Sequence, residues 1–250
     1  MCGKYWSGIL LLGGIFLQLL KLSLRLEAIA RLIPSVGSVA DVGTDHGYIP
    51  VWLAQNGHEG ALFATDINSE PLSHAKHTAV EYGLSDRIEF HLCNGLAALD
   101  GSDTVIIAGM GGENIADIIL AAPWVKEKNC LLVLQPMSKS AYLRAWLFEN
   151  GFEVLSEQLV QDGNIYEILT VRAGKDEPYS PSELLIGHAR LISNSLLFEK
   201  RLRQLISKTK RTVEGLSSSG RAEDAERLTR AQEVLNSLQE LKYGGAPTEK

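Results

Sequence analysis

Residues 38–48 read Ser-Val-Ala-Asp-Val-Gly-Thr-Asp-His-Gly-Tyr. Val39, Ala40 and Val42 surround an acid, Asp41. Gly43 follows at once, then Thr44, Asp45, His46, a second glycine (Gly47) and an apolar run to Leu53. This order predicts a buried strand, a tight turn and a helix start. Gly43 lets the backbone come close to a ligand, and Gly47 can take a conformation other residues resist. The helix N-terminus beyond it offers free N–H groups. A strand, glycine turn and helix in this order form the nucleotide-binding corner of a doubly wound sheet.

The glycine spacing narrows the nucleotide. Gly43 and Gly47 are G-x-x-x-G, whereas a dinucleotide fingerprint needs G-x-G-x-x-G and a P-loop needs G-x-x-x-x-G-K-[ST]. An acid directly before the first glycine also disfavours bound phosphate. It suits a ligand carrying a cationic amino group or hydroxyls. The pattern resembles the first motif of S-adenosylmethionine (SAM) methyltransferases. A buried acid capping a turn in any α/β protein is the competing reading.

A chain of 250 residues holds one large domain, or one domain plus an appendage. Hydrophobic content of 45% and charged content of 22% are ordinary for a globular protein. Cys2, Cys93 and Cys130 show no CxxC spacing, which favours a reducing, cytoplasmic setting and argues against a zinc site. Ile9 to Leu20 is apolar or glycine except for Gln18, and is too short to span a bilayer. Residues 1–20 read as a leader or start-site extension, with a signal anchor as the alternative.

From Lys21 the order is regular. A helix over 21–33 is stopped by Pro34. Strands follow at 38–42, 60–65, 87–92, 103–108 and 130–134, alternating with helices at 48–56, 70–82, 113–122 and 140–150. Two antiparallel strands, 152–160 and 165–172, close the series around Asp162-Gly163. The expectation is an α/β fold: a Rossmann-like doubly wound, mostly parallel sheet over 21–174 with an antiparallel edge. Residues 175–182, with Pro178 and Pro181, read as a linker. An apolar three-four spacing (Leu191, Phe198, Leu202, Leu205, Leu216, then Leu228, Ala231, Leu235, Leu238) predicts a coiled-coil-like α-helical hairpin over 183–242, broken at Ser217–Gly220. Residues 243–250 read as a flexible tail.

The strand ends carry the candidate chemistry. Asp66 ends the second strand, where an acid can accept hydrogen bonds from both ribose hydroxyls, or simply cap the next helix. Asn94-Gly95 follows the third strand, either facing an adenine or making a plain turn. Gly109-Met110-Gly111-Gly112 ends the fourth and leaves backbone groups open to a planar ring. Gln135-Pro136 ends the fifth.

Taken together, residues 21–242 resemble the bacterial tRNA (adenine-22-N1)-methyltransferases, the TrmK family. The carrying stretches are Leu24-Arg25-Leu26, Ala40 to His46, Ala108 to Gly112, Leu134-Gln135-Pro136, Leu143 to Leu147 and Tyr166-Glu167. The leader has no counterpart in the family pattern. The resemblance implies a class I methyltransferase domain and a helical C-terminal domain that methylate N1 of adenine 22 in tRNA and release S-adenosylhomocysteine. It implies that Asp41, Gly43 and Asp45 line the methionine side of SAM, that Asp66 holds the ribose, with Ile67 beside it on the cofactor, that Cys93, Asn94 and Gly95 flank the adenine, and that Gly109, also on the cofactor, and Met110 sit where methyltransferases of exocyclic amines carry an Asn-Pro-Pro-type motif. Asp45, His46 and Met110 become the candidates for the chemistry, and Tyr48, Gln135 and Arg144 for substrate contact; no metal is expected.

Charge adds a second surface. Residues 183–250 carry a net charge of +3 and residues 1–182 a net charge of −9. Between 190 and 211 stand seven Lys/Arg and one acid, Glu199. With the resemblance, Lys200, Arg201, Arg203, Lys208, Lys210 and Arg211 read as a tRNA-binding face; without it, as a solvated helix face. The chain is expected to be a monomer or weak homodimer. The alternatives are a SAM methyltransferase of a small molecule or protein, and a non-catalytic SAM-binding interaction module.

Overall fold

A computed structural model describes residues 9–12, 15–192, 195–219 and 221–244. Its centre is a sheet of seven strands: β1 (Val39–Val42), β2 (Leu62–Asp66), β3 (Ile88–Leu92), β4 (Thr104–Gly111), β5 (Leu131–Ser138), β6 (Phe152–Asp162) and β7 (Asn164–Ala173). They lie in the order β3-β2-β1-β4-β5-β7-β6. The first five are parallel; β7 runs antiparallel to β5 and β6 antiparallel to β7. The order reverses between β1 and β4, so a crevice opens beyond their carboxyl ends.

Both faces of the sheet are covered, which is why its central strands are nearly continuous apolar runs. Helices α1 (Leu24–Ala30), α2 (Tyr48–Gln55) and α3 (Ser69–Glu81) cover one face, with Ile106 and Val133 turned toward them. Helices α4 (Gly112–Leu120), α5 (Trp124–Glu127) and α6 (Ser140–Glu149) cover the other, meeting Val105, Ile107, Leu132 and Leu134. The two-residue alternation of β4 and β5 feeds both cores at once.

Several boundaries differ from the sequence expectation for local reasons. The first helix starts at Leu24, because the Ser23 hydroxyl accepts the Leu26 N–H and caps it. β4 does not stop at Ala108. It continues through the glycines to Gly111, with an irregular register at Met110 against Pro136 and Ser138 of β5. Residues 9–12 and 15–18 of the expected leader pair as an antiparallel hairpin; residues 1–8 and 13–14 lie outside the described residues. Leu20 and Leu22 already pack against the core, and the Leu20 N–H donates to Gln55 Oε1 at 2.9 Å. Among the described residues no helix is long and apolar enough to cross a membrane.

The segment expected as a linker is packed rather than free. Asp176 is buried and accepts hydrogen bonds from the Val154 N–H and the Tyr179 hydroxyl. A capping box between Ser180 and Glu183 opens α7 (Pro181–Ile186). Helices α8 (Ser195–Ser219) and α9 (Ala225–Gly244) then pack together through Leu202, Leu205, Ile206, Leu235 and Leu238, with Ile186 joining them. Leu191, read with the hairpin stripe, packs instead against the sheet's core. Gly220 and residues 245–250 of the expected break and tail lie outside the described residues.

Arg144 corrects a site expectation. It is fully buried on α6, not presented to a substrate. Its guanidinium donates to Glu157 on β6 (2.6 Å), to Glu167 on β7 (3.0 Å) and to the Leu184 carbonyl on α7 (2.9 Å). From α8, Arg201 reaches the same Glu167 at 2.9 Å. Desolvation opposes charge on Arg144, Glu157 and Glu167. It prevails at Glu157, whose pKa is raised, whereas the arginines on either side of Glu167 hold that carboxyl below its ordinary value. Breaking such a buried network leaves an unpaired carboxylate in the core. Arg144→Ala is expected to cost about 3–5 kcal/mol, read as a lower chemical-denaturation midpoint, with Arg144→Lys falling in between.

Candidate active site

The crevice holds a cleft of about 840 Å³, within the range of small-molecule sites. Its first wall is the turn after β1. Gly43 and Gly47 sit at φ 69° and 68°, and Asp45 between them at φ 50°. The left-handed conformation at Asp45 turns its exposed side chain into the cleft mouth. A Cβ at Gly43 would meet the movable end of the Met110 side chain, so it is the left-handed φ of 69°, not the space, that favours glycine there.

Asp41 lies at the floor of this turn, buried, and accepts the Thr44 hydroxyl at 2.7 Å. Burial, with a contribution from the nearby Asp66, pushes its pKa up to about 6 despite the Thr44 hydrogen bond. Asp66 ends β2. One of its oxygens accepts the Asn68 N–H at 2.9 Å, which leaves the other for a hydroxyl donor. The Thr65 hydroxyl donates to the Gly95 carbonyl at 2.8 Å and pins the Asn94-Gly95 turn beside Asp66. Gly95 is at φ 58°. Two carboxylates, no lysine in the turn and backbone close to the cavity suit a nucleoside that carries a cationic amino group rather than a phosphate-rich ligand.

The far end of the turn is aromatic and polar. Tyr48, His46 and His74 form a near-parallel stack with centroids 5.1 and 5.2 Å apart, and His46 Nε2 lies 3.7 Å from Asp45. Donor atoms of Asp45, His46 and His74 all fall within 4.8 Å of one another. Arg25 enters from α1. Its Nη1 donates to Gln135 Oε1 at 2.6 Å, and its guanidinium lies 5.5 Å from the Tyr166 ring centre.

A family model for a methyltransferase domain matches residues 22–169. The tRNA (adenine(22)-N(1))-methyltransferase of Bacillus subtilis (strain 168) is 31% identical over 212 residues, spanning 82% of this chain and 89% of that protein. The chain belongs to this family of methyltransferases. The crystal structure of the B. subtilis M1A22 tRNA methyltransferase TrmK matches with a TM-score of 0.78 and 30% identity, covering 89% of this chain and 99% of that one. A Streptococcus pneumoniae chain solved in complex with S-adenosyl-L-methionine is 29% identical with a TM-score of 0.69, covering 86% of this chain and 100% of that one.

In this methyltransferase the structure brings most of the expected site residues to one cleft. Asp41, Gly43, Asp45, His46, Tyr48, Asp66, Ile67, Asn94, Gly95, Gly109 and Met110 all line it. Gln135 does not: it is fully buried, and its role is to hold Arg25 while its amide donates to the Pro136 carbonyl at 3.0 Å. The basic residues of α8 stand apart from the cleft and divide. Lys200 and Arg201 border a second cavity near its mouth, while Arg203, Lys210 and Arg211 line a groove with Lys242 on α9. Lys208 is exposed outside both cavities. Sequence reasoning missed Arg25, Asn114, Asp117 and His74. A lone Arg or His on an amphipathic helix carries no local signal, and only the packing of α1, α3 and α4 brings these residues to the strand ends.

Asp41 generates a pH prediction. Its folded pKa, about 6, exceeds its ordinary 3.8. Its contribution to stability is therefore fully present below the lower value and is lost as pH rises through the upper. Asp41→Asn removes this loss. The unliganded variant is expected to melt progressively higher than wild type as pH rises from about 4 to about 7, measured by scanning calorimetry. A melting difference that does not change with pH would contradict the assignment.

Proposed function

We propose that this chain transfers a methyl group from SAM to N1 of adenine 22 in tRNA, giving 1-methyladenosine and S-adenosylhomocysteine. The observation that carries this reading is the 31% identity to the B. subtilis enzyme over 89% of its length, together with a cleft that suits a nucleoside carrying a cationic amino group. The buried Asp41 fits the cofactor's cationic amino group, because a cation beside it offsets the cost of its burial. Asp66 and Ile67 face the ribose side, Asn94 and Gly95 the adenine, and Gly43 and Gly109 leave room for the ligand between β1 and β4. SAM, when bound, supplies a methyl group activated by a sulfonium centre.

Adenine N1 is unprotonated at neutral pH and is already a nucleophile, so the protein's task is alignment rather than proton removal. The base must leave its stack to enter the cleft. Tyr48, held against His46 (ring centres 5.1 Å apart), and Met110 provide surfaces for it to lie on. As the N–C bond forms the adenine ring gains positive charge, which the Asp45 carboxylate at the cleft mouth stabilises. His46, 3.7 Å from Asp45, orients that carboxylate. The tRNA body rests on the basic face of α8, through Lys200, Arg201, Arg203, Lys208, Lys210 and Arg211, and the enzyme acts in the cytoplasm as a monomer or weak homodimer.

The test is methyl transfer from labelled SAM to unmodified tRNA bearing A22, beside the same tRNA bearing G22, followed by nucleoside mass analysis. The expected result is 1-methyladenosine with A22 alone; product at neither, with SAM still bound, overturns the reading. Asp45→Asn is expected to lower kcat about 100-fold with the KM for tRNA little changed.

A further inference from the structure

Beyond the cleft lies a polar trough of about 310 Å³ between the β6–β7 turn and α8. Met137, half exposed, borders both cavities, so the two adjoin at that residue. Asn164 and Tyr166 of β7 form one side of the trough, and Lys200, Arg201 and Gln204 of α8 the other. The Tyr166 ring and the Arg25 guanidinium above it stand between cleft and trough.

The charge of the trough is set by its floor. Glu167 would repel an anion, but Arg144 and Arg201 neutralise it from two sides, at 3.0 and 2.9 Å. Lys200 donates to the neutral Gln161 amide oxygen at 3.0 Å, and among the described residues no carboxylate pairs with it. Of the charged groups that line the trough, Arg201 and Lys200 outnumber Glu167, and Arg144 beneath is matched by Glu157, so the surplus is positive. Asn164 and Gln204 add exposed amide donors at the rim.

A base extruded into the cleft cannot leave its own sugar and phosphates behind; they must lie at the cleft mouth. We propose that this trough seats the ribose-phosphate backbone flanking the methylated adenosine, with Lys200 and Asn164 contacting a phosphate next to the target nucleotide. The inference rests on the tRNA-methyltransferase reading and adds to it a path. The backbone leaves the cleft over Met137, passes Tyr166 and reaches α8, whose distal cations then hold the RNA body. The Glu167–Arg201 ion pair positions the trough by drawing α8 onto β7.

The test is a cycle between protein and RNA charge. Substrate tRNAs are made with one neutral methylphosphonate at each phosphate flanking nucleotide 22. They are assayed with wild type, Lys200→Met, Asn164→Ala and, as control, Lys208→Met. All three positions are exposed, so unchanged melting temperatures and an unchanged KM for SAM are expected throughout. At one flanking linkage wild type is expected to lose about tenfold in kcat/KM. Lys200→Met loses the same on unmodified tRNA and nothing further on the modified one, while the Lys208→Met loss multiplies with it. Losses that multiply for Lys200 and Asn164 at every linkage overturn the trough and leave the methyltransferase reading standing. A wild type that methylates no unmodified tRNA overturns that reading, and the trough with it.

Discussion

The Arg144 fork is the contact on which the arrangement of this molecule depends. A planar guanidinium with five donors can serve several acceptors at once, and here it joins α6 to β6, β7 and α7. Glu167 passes the connection on to Arg201 of α8. An apolar residue of similar size would pack the same space without specifying which elements meet. The cost of burying these charges is met only when all partners are present. The orientation of the helical hairpin is thereby tied to the sheet that carries the cleft.

The cleft follows a different principle. Many of its polar groups come from the carboxyl ends of strands whose bodies are apolar and from the turns that follow them, so position is set by sheet packing and chemistry by the residues at those ends. Asp41 is the clearest case. It sits in a strand where all four residues are buried, and that burial raises its pKa to about 6. Such a group is costly to the unliganded fold and favourable to a cationic ligand. The Thr65–Gly95 hydrogen bond and the parallel ladder between β1 and β4 set the spacing of neighbouring strand ends where a ligand must be aligned.

Charge is divided between the two parts of the chain. The sheet domain is acidic and its cleft carries carboxylates suited to a cation; the hairpin carries the surplus of lysine and arginine. A polyanion approaching this surface is attracted at α8 and discouraged elsewhere, which favours one orientation of encounter. Lys200 and Arg201 fall nearest the cleft, whereas Arg203, Lys210 and Arg211 face a groove farther along the helix.

The sequence by itself determined the alternation of strands and helices, the glycine turn after Val42 and the acids at strand ends, because each is written in local periodicity and in residues with special backbone freedom. It also located the basic run on α8, since charge density needs no tertiary information. The tertiary structure alone decided which of those residues face a ligand. Arg144 and Gln135 stand in motif-bearing stretches and read as contacts, yet packing turned both inward, where one ties the domains together and the other fixes Arg25. Arg25 itself is remote in sequence from every strand end and reaches the cleft only because α1 docks against the face that carries Ile106 and Val133. Burial and long-range pairing are properties of the assembled sheet, and no window of sequence contains them.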